Sequence, residues 1–218
     1  MLIRRASLLC LTIATLLPLR ADAYTLLGGQ TLGVRDSALH VQLGFPELDV
    51  QYHLPIVPKF EVVPRFTFYY APGFLGGSLD PGPGTVGDTI GANLKYQLVD
   101  KSGFHLALVW QPSLVLNYTE EFAFGMRLGF PGGLALDYDL GDRMTIFGGF
   151  NVPITALFTP TFVIAFPFNF DMGIELPLTA LMNLSFSLEL GPVVQASKDG
   201  GSHVGFNLMG MFGLERLL

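Results

Sequence analysis

The chain has 218 residues, 50% of them hydrophobic and 14% charged, with a formal charge of −6. An average soluble domain is about 25% charged, so a mean hydropathy of +0.48 marks a chain that meets lipid. The acid excess excludes nucleic acid as a partner, because phosphates need a basic surface. Beyond residue 23 no run of about 18 apolar residues occurs, and 26 glycines with 15 prolines break up the candidate segments. Only helices and closed barrels pair every backbone group inside a bilayer, so the apolar excess points to a barrel.

Residues 1–23 read as a cleaved signal peptide. Arg4 and Arg5 supply a positive start, residues 6–19 an apolar stretch, and Ala21-Asp22-Ala23 a small-x-small cleavage site. Cleavage there removes Cys10, the only cysteine, and rules out disulfide and thiol chemistry in the mature chain. The leader carries three arginines (Arg4, Arg5, Arg20) and one acid (Asp22), so its loss moves the charge from −6 to −8. Residues 24–37 alternate poorly and are expected to form a short N-terminal segment, either a strand or a periplasmic tail.

From Ala38 onward apolar residues recur with period two, the strand signature. Leu39, Val41, Leu43 and Phe45 share one face, and Val50, Tyr52 and Leu54 repeat the pattern. It continues through Phe66 and Phe68, Ile90 to Leu98, Leu106 to Trp110, and Phe124 to Leu140. Phe168 to Leu176, Leu184 to Leu190 and Val204 to Leu208 complete the series. Turns fall at Phe45-Pro46-Glu47-Leu48, residues 55–58, 99–103, Pro131-Gly132-Gly133, Gly141-Asp142-Arg143 and residues 197–201. The long connector, residues 71–87, is placed outside the cell, because transmembrane barrels keep short periplasmic turns and long outer loops. Residues 38–218 therefore form an all-β, antiparallel up-and-down transmembrane barrel of about twelve strands. Ten strands result if Pro153, Pro160 and Pro167 lie inside bent strands.

Alternation does not say which face is outside; the composition of the second face does. It carries Gly44, Gly91, Asn93, Lys95, Gly125, Gly129, Ala135, Ser185 and Ser187. A water-facing surface normally holds roughly 25–35% charge, whereas small residues suit the inside of a narrow barrel. Bulky residues then face lipid. Taking Pro46-Glu47 and Ile56-Val57 as tight turns aligns His40, His53 and Glu61 in one lumen row, and Asp49 with Arg65 in another. Taking Pro131-Gly132-Gly133 as a third turn aligns Arg127 with Asp137 and places Asp139 opposite Gly125. Charges inside a narrow barrel need partners, so these rows read as a structural polar network. His40, His53 and Glu61 are the weak metal candidates, since imidazole and carboxylate suit zinc; no cofactor is expected.

The leader, the alternating strands and the long outer loop together resemble the broad group of small bacterial outer-membrane β-barrels. Members of that group commonly end in an aromatic residue read by the barrel-assembly machinery; this chain ends Phe212-Gly213-Leu214-Glu215-Arg216-Leu217-Leu218. The resemblance implies outer-membrane lipid and that machinery as partners. The expected function is a passive pore for small solutes or a structural membrane protein, not an enzyme. A lipid-modifying outer-membrane enzyme and a soluble periplasmic barrel holding an apolar ligand are the alternatives. No nucleophile elbow is present; His105 is placed opposite Gln97, and Ser202 and His203, as neighbours, point to opposite faces of a strand. The mature polypeptide is expected to begin at Tyr24, which the intact mass of the purified protein checks.

Overall fold

The computed structural model describes residues 24–70, 74–75, 86–118, 122–129, 132–158, 162–198 and 201–218. The predicted leader and most of the long connector lie outside the described residues. The first strands are β1 (Ala38–Phe45), β2 (Glu47–Val57), β3 (Phe60–Tyr69), the two-residue β4 (Phe74–Leu75) and β5 (Gly87–Lys101). Then come β6 (Phe104–Trp110), β7 (Ser113–Tyr118), β8 (Phe122–Arg127), β9 (Gly133–Asp139), β10 (Thr145–Asn151) and β11 (Thr155–Leu157). The last are β12 (Val163–Pro167), β13 (Asn169–Thr179), β14 (Met182–Ser197) and β15 (Ser202–Leu217).

Several segments are halves of one wall strand. β5 pairs with β6 along one half and β7 along the other. β9 continues β8, β11 continues β10, and β13 continues β12, each opposite the corresponding halves of its neighbours. Joined this way the wall has 10 antiparallel strands, closed where β1 pairs with β15. It is the lower of the two counts expected. The prolines explain the interruptions: Pro112, Pro153 and Pro167 sit at or beside breaks, where a missing N–H removes a ladder bond without ending the strand.

Pro131 lies outside the described residues, but β8 and β9 on either side of it do not pair with each other, which corrects the hairpin expected at Pro131-Gly132-Gly133. Arg127 pairs with Ser113 and Thr155, and Gly133 with Val109 and Asn151, so β9 follows β8 along the same neighbours. Gly129 and Gly132 adopt φ of +61° and +100°, and these left-handed residues absorb the irregularity rather than reversing the chain.

Two of the other registers differ from the expected ones by two residues. Leu43 faces Leu48 and Gln42 faces Asp49, while Gln51 faces Arg65 and Asp49 faces Thr67. The second turn is at Pro58-Lys59, where Lys59 has φ of +68°. A shift of two keeps each residue on its face, and the polarity of the faces is as expected. His40, Asp49, His53, Glu61, Asp137, Glu175 and Glu215 are buried inward, while Phe66, Trp110, Leu134 and Phe212 are exposed outward. Neighbouring outer aromatics pair across strands, with Phe150–Phe170 and Phe186–Phe212 ring centroids 5.0 and 5.1 Å apart.

One end of the barrel carries the tight turns at Pro58-Lys59, Ser102-Gly103 and Ala180-Leu181, together with the start of β1 and the end of β15. The other end carries the long connector between β3 and β5 and the joins of β1 to β2, β7 to β8, β11 to β12 and β14 to β15; these are the turn end and the loop end below. Trp110, the single tryptophan, is 46% exposed on the outer face. In reconstituted bilayers its emission is expected to be strongly quenched by brominated acyl chains and barely by acrylamide.

Candidate functional site

The lumen is built from odd-numbered positions on β2, β3 and β5 to β15 and from even-numbered ones on β1, which alternation along each strand directs inward. In its turn-end half the inward carboxylates are Glu61, Asp137, Glu175 and Glu215, all buried. Residues 24–36 answer them. Instead of forming a strand or an outlying tail, this segment dips into the lumen from the turn end and returns.

Its contacts are carboxylates accepting backbone N–H groups. Glu175 Oε1 accepts from Leu26 N at 3.2 Å and Leu27 N at 2.9 Å. Asp137 Oδ1 accepts from Gln30 N at 2.9 Å, and Glu61 Oε2 from Leu32 N at 3.3 Å. In the other direction, the Lys95 ammonium donates to Leu26 O at 3.1 Å, and Asn183 Nδ2 to Tyr24 O at 2.6 Å. Thr31 Oγ1 donates to Gln97 Oε1 at 2.8 Å. Tyr24, Leu26 and Leu32 pack with Ala38 and Leu217 as a small apolar seal. Burial and the charges of Glu215 and Glu175 push the Tyr24 phenol up, so it stays a neutral donor to Leu181 O at 3.3 Å.

Gly28-Gly29 lets the segment touch the wall. A Cβ on Gly28 would sit 2.2 Å from Asp137 Oδ1, and one on Gly29 would sit 2.8 Å from backbone atoms of Ala135, His105 and Leu106. The second contact is with rigid backbone, so no larger residue fits at position 29 without moving the segment.

His40, His53 and His105 lie around this segment, each beside an acid. His53 Nδ1 contacts Glu61 Oε1, a diagonal neighbour rather than the directly opposed residue first expected. His40 Nε2 lies 3.2 Å from Ser185 Oγ and 3.7 Å from Glu215 Oε1. The His40 and His53 ring centroids are 6.4 Å apart; a tetrahedral ion held by both, at metal–nitrogen distances of about 2 Å, needs roughly 5 Å. His105 faces Asp100 rather than Gln97, because β5 and β6 are joined by the two residues Ser102-Gly103 instead of the longer 99–103 turn expected, and a bulge between Gln97 and Val99 adds one more residue to the shift. Its Nδ1 lies 2.5 Å from Asp137 Oδ2. His105, Asp137 and Asp139 have ligand-type atoms within 4.8 Å of one another, but protein donors occupy the carboxylates: Gln30 N on Asp137, and Thr145 Oγ1 on Asp139 at 2.8 Å.

Above the segment, toward the loop end, the lumen opens into a cavity of about 330 Å³ floored by Leu26, Leu27 and Gly28. Arg65 lies on its wall, with Nε 2.6 Å from Asp49 Oδ1 and Nη2 3.3 Å from Glu47 Oε1. Arg127 also lines this cavity, whereas Asp137 sits in the turn-end half, paired to His105. The expected Arg127–Asp137 pair is thereby corrected, since it depended on the hairpin that the continuing strand replaces. Position parity alone would have identified Asp171, Glu175, Glu189 and Glu215 as inward, because each shares its face with small or polar residues. The N-terminal segment that meets two of them has no such signal.

No protein-family model and no curated protein matches the chain. Among solved structures, the outer membrane protease OmpT from Escherichia coli superposes with a TM-score of 0.52 at 10% identity, covering 87% of this chain and 100% of that one. The KdgM porin matches at 0.39 and 9% identity, covering 83% of this chain and 98% of that one. An outer-membrane channel from Pseudomonas putida F1 matches at 0.36 and 11%, covering 92% and 99%. This is the fold of a bacterial outer-membrane β-barrel. At such identities the resemblance extends to the fold alone.

Asp137→Ala frees the Gln30 N–H and His105 inside the lumen and is expected to cost about 1–3 kcal/mol. Arg127→Ala is expected to cost less, and the double variant to equal the sum within about 0.5 kcal/mol, as for separated sites. Urea unfolding of the refolded barrel checks this; strong non-additivity would restore the direct pair.

Proposed function

We propose that the protein resides in the bacterial outer membrane as a stoppered barrel, one whose route for small polar solutes is closed by its own N-terminal segment. The observation that carries this is the set of lumen carboxylates, on Glu61, Asp137 and Glu175, accepting backbone N–H groups of residues 26–32. Outer-membrane placement is supported by the inside-out polarity and by the fold. A soluble barrel would instead put its apolar face inward.

The turn end is assigned to the periplasm, by the rule that short turns face that side. A leader cut after Ala23 would start the mature chain at the mouth of the barrel, with the stopper as its first ordered element. Solutes entering from the loop end reach the 330 Å³ cavity and stop at Leu26, Leu27 and Gly28. Passage then needs the segment to leave the lumen, which exchanges its hydrogen bonds for water. The reading is a pore or solute-binding barrel rather than an enzyme: the His53–Glu61 and His105–Asp137 pairs lie buried, and Glu61 and Asp137 each accept a backbone N–H of the stopper.

In planar bilayers the refolded mature chain is expected to give rare, brief openings. Gly29→Val, whose side chain cannot fit against the wall, is expected to give sustained conductance. Continuous conductance from the unaltered chain, or silence from both proteins, would overturn the stopper.

A further inference from the structure

The loop-end cavity holds an arrangement of charge that the closed lumen does not require. Asp171 on β13 and Glu189 on β14 are direct register partners on the inner face. Directly opposed like charges destabilise a sheet. Each takes a neutral amide as partner, Asn151 Nδ2 donating to Asp171 Oδ2 at 2.8 Å and Asn207 Nδ2 to Glu189 Oε1, and the two carboxyl groups are hydrogen-bonded to each other through one shared proton, which leaves the pair a single negative charge. Neither amide supplies a positive charge. Across the same cavity stands Arg127, whose Nε is buried with no hydrogen-bond partner. Its guanidinium makes no ion pair with a described carboxylate, in contrast to Arg65, which holds Asp49 and Glu47. An acid pair in contact with no described cation and an arginine in contact with no described anion thus face one space.

We infer that this cavity binds a small zwitterion of the amino-acid class, its ammonium on Asp171 and Glu189 and its carboxylate on Arg127. The ligand's two charges satisfy both groups at once, and a space of about 330 Å³ is of small-molecule size. The lining of the cavity carries basic and acidic residues in equal number, with Arg65, Lys95 and Arg127 against Glu47, Asp171 and Glu189. Lysine serves as the probe, because the matching diamine lacks only the carboxylate offered to Arg127. Arg127 is the selecting residue, because it is the group that tells an amino acid from a plain amine.

The inference deepens the reading of a solute-accepting barrel, yet its test is separable from conductance. Isothermal titration of the refolded chain in detergent compares L-lysine with 1,5-diaminopentane, which is lysine without its carboxylate, and with sodium acetate. Lysine is expected to bind saturably and about tenfold tighter than the diamine, the discrimination of one good charge-assisted contact, with acetate weaker still. Arg127→Gln is expected to bring lysine down to the diamine's affinity, and Asp171→Asn with Glu189→Gln to weaken both amines. Equal binding of lysine and diamine by the unaltered protein would overturn the role of Arg127 without needing a variant. No saturable binding of either would mean that the acid pair needs no cation beyond its shared proton, and would overturn the site. A barrel that conducts continuously but still prefers lysine would sink the stopper and leave this site standing.

Discussion

A carboxylate enclosed in a narrow barrel must find donors, and this requirement organises the molecule. Burial of an unpaired ion costs several kcal/mol, and Glu61, Asp137, Glu175 and Glu215 are all buried in one half of the lumen. Lysine and histidine side chains answer part of the demand. The rest is met by the N–H groups of an irregular segment that has no strand to pair with. The dependence is mutual, since a backbone inside a lumen without ladder partners needs acceptors just as much. Wall and stopper therefore form one hydrogen-bonded unit.

The lumen is consequently divided. Toward the turn end it is filled by residues 24–36, sealed below by Tyr24, Leu26 and Leu32 against Ala38 and Leu217. Toward the loop end the wall has no such filling, and Arg127, Asp171 and Glu189 face open space. In the first half every acid named above meets a segment donor or an inward side chain. In the second, Arg65 holds Asp49 and Glu47, while Arg127 stands apart from Asp171 and Glu189. A ten-strand wall is narrow enough for one short segment to close it, which makes strand count and closure parts of the same geometry.

The outside obeys a simpler rule. Lipid asks only for apolar surface and satisfied backbone, and the wall tolerates proline breaks and left-handed glycines because each interrupted strand resumes beside the same neighbours. The breaks near Pro112, Gly129–Gly132 and Pro153 stand side by side on three adjacent strands. An irregularity in one strand is thus matched by irregularities in the next two instead of being left unpaired.

Period-two alternation and the smallness of the second face were enough to read the barrel, its inside-out polarity and the inward placement of His40, Asp49, His53, Glu61, Arg65, Arg127 and Asp137, since side-chain direction follows parity along a strand. Partnership was less legible. Turn residues such as Pro131-Gly132-Gly133 serve a hairpin and a bulge equally well, and a shift of two residues changes every partner without changing any face; hence Asp137 meets His105 and not Arg127. The stopper was beyond reach of the sequence, because its bonds are made by backbone N–H groups that every non-proline residue possesses. Only closure of the wall, which brings Glu61, Asp137 and Glu175 from separate strands around one space, decides that residues 24–36 belong inside it.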